Sequence, residues 1–163
     1  MRRVSSRERA FLAHFFARSL DVDRIWIGSS LGRRSWSPLA GRISLTRDLF
    51  RDRNPSAEVQ LDDPRAASIF AHEALHVWQR QHGRAVTREG AWLQAGYALG
   101  VFDPYAYDTR VADARDLLAM FVLGNIEQQG RMMQDFVFAV CSGADATRFA
   151  KIAAWVRARA STR

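Results

Sequence analysis

One segment of this chain is bounded at both ends by its own residues, and it carries two histidines a helical turn apart. Asp63 is a good N-cap, Pro64 follows at the first helical position, where a missing N–H costs nothing, and Gly83 stops the run. The spacing predicts a helix over 64–82. Its middle reads His72-Glu73-Ala74-Leu75-His76. At 100° per residue the two rings lie about 40° apart on adjacent turns and can reach one point in space, with Glu73 about 60° from His76 on the same flank. With 4 His and 5 Glu among 163 residues, roughly 0.3% of shuffled sequences would contain this pattern. Phe70, Ala74 and Val77 line the side opposite the histidines, and Leu75 and Trp78 one flank, so the helix is predicted to be internal. Buried imidazoles must be hydrogen-bonded or bound to a metal.

That pattern points to metal-assisted hydrolysis. A Zn²⁺ held by both rings would acidify a water to a pKa of ~7, and Glu73 could take its proton and pass it to a leaving group. A catalytic zinc usually takes three protein ligands. His82 lies about 80° round and more than a turn past His76, which suits a C-terminal cap better than a ligand, and no histidine follows it. A carboxylate must complete the site, from among Glu89, Asp103, Asp108, Asp113, Asp116, Glu127, Asp135 and Asp145. Glu127 is preferred: it follows a cap at Asn125 and opens a later helix that can return beside the first. The apolar stripe of that helix, Met132, Met133, Phe136 and Val140, is centred far round from Glu127, and Asp135 is the fallback.

The rest of the chain reads as α+β: a small antiparallel sheet of about three strands followed by a helical majority, with the histidine helix central. A first helix is expected over 6–19, capped by Ser5 or Ser6. Strands are expected at 23–28, within 41–50 and at 57–61, with a loop over 29–40 containing Pro38. Helices follow at 87–99, 110–122, 126–141 and 146–160, and residues 101–108 form a loop. No repeat or composition break divides the chain, so 1–163 is read as one domain.

Composition serves mainly to exclude. Apolar residues at 48% and charged residues at 25% are globular values. No apolar run approaches the ~20 residues of a membrane span. A single cysteine, Cys141, rules out an internal disulfide and any multi-cysteine zinc site. Arg7, Glu8, Arg9 and His14 interrupt what would be a leader's apolar stretch, so the default location is the cytoplasm, with non-Sec export left open. The net charge of +7 is spread singly and in pairs with no aromatic-interleaved basic stripe, which argues against a nucleic-acid surface and favours a solvated one.

Three stretches together carry a family resemblance: His72 to Gln79, then Tyr105-Ala106-Tyr107, then Asn125-Ile126-Glu127-Gln128-Gln129. They resemble the small bacterial zincin domains of the gluzincin type, some of them related to the spike proteins of type VI secretion. The resemblance covers about 60–150. It implies zinc ligation by His72, His76 and Glu127, with Glu73 as base. Larger gluzincins place an Asp four residues after the ligand Glu to hold a ligating histidine; here that position is Arg131. Tyr105 and Tyr107, in the loop between the two ligand helices, are candidate donors to a developing oxyanion, and the 57–61 strand is a candidate edge for an extended peptide. The expected function is a zinc-dependent metallopeptidase acting on a peptide or protein substrate. The alternative is a non-catalytic zincin-like adaptor with a secretion-system or toxin partner.

Overall fold

The computed structural model describes residues 1–30, 32, 35–37 and 41–159. Pro38 of the predicted loop and residue 160 of the last predicted helix lie outside the described residues. The fold is α+β, with a three-stranded sheet and a helical majority. Strand β1 is Arg2–Arg3, helix α1 Ser6–Phe16, strand β2 Trp26–Ser29 and strand β3 Arg42–Leu45. The helices α2 Pro64–Gln81, α3 Val86–Ala98, α4 Ala114–Leu123, α5 Ile126–Ser142 and α6 Ala150–Ala158 follow.

The helix boundaries come from local chemistry. Ser5 and Glu8 form a reciprocal capping box at α1. The Asp63 carboxylate accepts from Arg65 N–H at the start of α2, with Pro64 beside it. The Asn125 side chain accepts from the N–H groups of Glu127 and Gln128, while Gln128 reaches back to Asn125 N–H. Helix α5 closes on Gly143, whose φ of 73° is the left-handed geometry of a helix stop. Helix α1 ends earlier than the periodicity predicts, at Ala17, and α4 starts later, at the Asp113 cap.

The sheet differs from its predicted form. β1 pairs antiparallel with β2, through Arg2↔Ile27 and Arg3↔Trp26, but β2 and β3 run parallel, through Ile27↔Ile43 and Ser29↔Leu45. The connection over 30–41 has the dozen or so residues that a parallel return needs. The sheet is therefore mixed, and its third strand is the N-terminus instead of 57–61. Val59 makes only an isolated bridge to Phe50, and its N–H, on the other side, donates to the Glu8 carboxylate at 2.9 Å. That carboxylate also takes Arg2 and Ser5 N–H, and it lies fully buried.

Ile27, Ile43 and Leu45 point from the sheet into a core shared with Leu12, Phe16, Phe70 and Phe121. Every residue of α2 from Phe70 to Gln79 is buried, as a helix apolar on most of its circumference should be. Its main partner is α5. Phe50 is core, whereas Trp26, Trp36 and Cys141 are exposed.

Candidate metal centre

The packing of α2 on α5 brings three ligand atoms together. His72 Nε2 and His76 Nε2 lie 3.1 Å apart, and Glu127 Oε2 lies 3.3 Å from the first and 3.4 Å from the second. Among the described residues these three are the group that could hold a metal ion, and all three are buried. A tetrahedral cation with ligands at ~2.0–2.1 Å has ligand-to-ligand edges of ~3.3–3.4 Å. The observed triangle is therefore already of the size such an ion needs. Two imidazoles and one carboxylate also form a donor set of open, catalytic sites, with a fourth position left for water or substrate. His72 Nδ1 and Glu73 Oε2 are buried with no hydrogen-bond partner among the described residues. Unpaired polar atoms beside such a triangle fit a centre organised for a cation and its solvent better than a closed polar core.

The electrostatics show how strongly the three groups interact. Burial by itself pushes the Glu127 carboxyl up, but hydrogen bonds to His72 and His76 outweigh it and hold Glu127 well below the usual carboxylate range. Burial likewise pulls the His76 imidazole down, while Glu127 and the nearby Glu73 charge raise it above its ordinary value. The Glu73 carboxyl is raised, chiefly by burial, with the two imidazoles opposing and the Glu127 charge adding.

His76 is oriented from its own helix. Gln79 donates its amide N–H groups to Ile126 O at 3.2 Å and to Gln129 Oε1 at 2.8 Å, which leaves its Oε1 to accept from His76 Nδ1 at 2.8 Å. Nδ1 must then carry the proton, and Nε2 turns its lone pair to the triangle. Gln129 donates in turn to Phe121 O at 2.7 Å. His72 depends on an absence of bulk: a Cβ on Gly130 would lie 2.7 Å from its Cε1 and 2.8 Å from its Nε2. The glycine gives this imidazole its room.

These supporting residues escaped the sequence reading. Gln79 sits at i+3 from His76, a neighbour on the helix surface, and that spacing could have found it. Met132 and Met133 of the predicted stripe are buried and Phe136 packs against the core, but Gly130 and Gln129 do not read as apolar, so the stripe misses the Glu127 side and runs on to Val140. The buried face of α5 runs through Ile126, Glu127, Gln129, Gly130, Met132, Met133 and Val137, with Val140 exposed. Glu127 thus belongs to the packed face. Arg131 pairs with Asp135 at 3.0 Å and takes no part in the triangle, nor does Asp135. His82 caps α2, its ring stacked on Trp78 and its Nδ1 at 2.8 Å from Trp78 O.

A cleft of about 440 Å³ opens over the triangle. Its walls include Trp36, Arg80, Val86, Ala91 and Tyr105, with Glu73 in the lining. Tyr105 faces the site: its ring centre is 6.4 Å from that of His72, and its hydroxyl accepts from Gln94 at 2.8 Å. Tyr107 does not reach it. Its hydroxyl donates to Asp135 at 2.7 Å, half-buried against the core, and burial with that neighbouring carboxylate pushes the phenol up. The strand segment beside the cleft is 35–37, bridged to Ser44 through Trp36, and the 57–61 stretch does not line it. Arg80 fastens that segment to α2 by donating to the Ser37 hydroxyl at 2.9 Å and to the Ser37 carbonyl.

Fold and site together define a small α+β protein built round a buried His-His-Glu group able to hold a metal ion. No model of a known protein family matches the chain. It is 40% identical over 81 residues to the type VI secretion system spike protein VgrG2b of Pseudomonas aeruginosa, an alignment covering 49% of this chain and 7% of the spike protein. Its structure is similar to that of the effector domain of Pseudomonas aeruginosa VgrG2b, with a TM-score of 0.66 and 27% identity, covering 93% of this chain and 82% of the other. No helix among the described residues is long and apolar enough to cross a membrane.

Proposed function

We propose that this chain is an effector-type module associated with a secretion spike, that it holds zinc through His72, His76 and Glu127, and that it hydrolyses peptide bonds as a gluzincin-like metallopeptidase. The similarity to the effector domain over most of both chains supports the secretion association. That association carries with it a secretion-apparatus partner and an export route other than Sec.

The observation that carries the hydrolytic reading is the place of Glu73, buried in the lining of the cleft that holds the three converging ligand atoms, with one carboxylate oxygen unpartnered among the described residues. Bound there, zinc would polarise a carbonyl and make water a better nucleophile. Glu73 then holds the proton at a carboxylate oxygen and gives it to the departing amine. Gln79 keeps His76 in the tautomer that presents Nε2. Tyr105, on the cleft wall, would donate to the carbonyl oxygen as charge builds on it.

A second reading is a zinc-holding adaptor without turnover. It is favoured by Arg131, which stands where larger gluzincins have the supporting Asp and pairs with Asp135 instead. The test is Glu73→Gln with elemental analysis and a mixed-peptide cleavage assay. If Glu73 is the base, the variant keeps zinc and loses turnover by about 10²–10⁴-fold. Zinc-loaded wild type that cleaves nothing in a broad peptide library would sink the hydrolytic reading and leave the adaptor.

A further inference from the structure

The arginines that lie scattered along the sequence are gathered by the fold. A second cleft, about 1070 Å³, lies where the end of α1, the C-terminal end of α2 and the end of α6 meet. Six arginines line it, against two aspartates. Both aspartates are already engaged, Asp21 with Arg24 at 3.2 Å and Asp23 with Arg9 at 2.6 Å. Four guanidinium groups remain without a carboxylate partner among the described residues: Arg18, Arg80, Arg157 and Arg159. They come from three elements: Arg18 follows α1, Arg80 is in α2, and Arg157 and Arg159 sit at the end of α6. Arg80 is bonded only to the neutral Ser37, and Arg159 lies 3.9 Å over the Trp155 ring. Like charges converging on one concave surface repel one another, and the low-dielectric walls focus their field on whatever anion enters.

The lining also narrows the kind of anion. Ala17, Leu20, Val22 and Val77 form apolar parts of it, and none of the lining residues is aromatic. Nucleic-acid grooves combine cations with aromatic platforms for the bases, and this cleft has no such platform. Planar guanidinium forks match carboxylates two bonds at a time, and the apolar parts suit short side chains between them. We infer that this cleft is a docking surface for an acidic polypeptide segment in which Asp or Glu alternates with apolar residues. The cleft holds none of His72, His76 or Glu127, and Arg80 is the one lining residue it shares with the cleft over the triangle.

The test uses the full chain and a fluorescein-labelled peptide of alternating Glu and Leu. An alternating Lys-Leu peptide and a thymidine oligonucleotide serve as comparisons. The charge reversal Arg18→Glu with Arg157→Glu should weaken the Glu-Leu peptide by roughly tenfold or more and flatten its salt dependence, while Arg18→Lys with Arg157→Lys keeps most of the affinity. Should the reversed variant fail to fold, hydrogen exchange on wild type with the Glu-Leu peptide reads the same surface, with protection expected at 17–24, 77–83 and 157–159. The inference is overturned if wild type does not bind the Glu-Leu peptide, if the reversal leaves binding unchanged, or if protection falls elsewhere. It is equally overturned if the oligonucleotide binds more tightly than the peptide and the reversal abolishes that binding, which would make the cleft a polyphosphate site.

Discussion

Replacing Gly130 by alanine asks whether the His-His-Glu triangle depends on the close approach of α5 to α2. The added Cβ would stand 2.7 Å from His72 Cε1, 2.8 Å from Nε2 and 3.0 Å from Nδ1. Ordinary non-bonded separations are about 3.5–4.0 Å, so the ring or the helix must retreat by ~0.8 Å. The ring has little space to do so, with His76 packed edge-on at 4.8 Å between centroids and Tyr105 at 6.4 Å. Metal–ligand distances tolerate only ~0.2 Å. A displacement several times larger should cost zinc affinity at least as much as losing an orienting partner, about 10–100-fold. The stability of the metal-free protein is set by a different balance. Alanine gains ~1 kcal/mol over glycine inside a helix, against ~1–3 kcal/mol for overpacking, so its stability falls by about 2 kcal/mol at most. Zinc competition against a chromogenic chelator, paired with urea unfolding in excess chelator, separates the two quantities. A variant that binds zinc as tightly as wild type would refute the reasoning, because the clash would then have been relieved without moving the ligand.

Three further outcomes follow from the same geometry. Gln79→Leu removes the acceptor on His76 Nδ1 and strands Gln129, and zinc affinity should drop about 10–100-fold with the secondary structure unchanged by circular dichroism. Saturating zinc should raise unfolding free energy by ~4 kcal/mol at a thousand times its dissociation constant, and a denaturation midpoint indifferent to chelator would count against the site. Glu8 gives a stability change at acid pH: burial raises its carboxyl, but Arg2 and the N–H groups of Ser5 and Val59 outweigh that and lower it. Its contribution is therefore present above its unfolded pKa of about 4.3 and is lost as pH falls through the lower folded value. Glu8→Gln should cost about 1.5–3 kcal/mol near neutrality and remove that part of the acid dependence, as read by urea unfolding across pH.

The helix that carries His72, Glu73 and His76 was legible because everything that defines it acts over a few residues. Asp63 caps it, Pro64 suits its first turn, Gly83 stops it, and the 3.6-residue period puts both imidazoles on one side whatever else the chain does. The Asn125 cap and the helical place of Glu127 were local in the same sense, and so was the α+β balance. Only the tertiary structure decided which carboxylate, of eight offered, meets the histidines, because that depends on how α2 packs on a helix some fifty residues away. Glycine and glutamine make that packing, and neither carries an apolar signal: Gly130 admits a ring, and Gln129 steadies Gln79. The parallel sense of β2 and β3, the turning of Tyr105 towards the cleft and Tyr107 away, and the meeting of arginines from three distant elements were set in the same way. Caps and periodicity are decided by neighbours in the chain. Convergence is decided by neighbours in space, which no local pattern records.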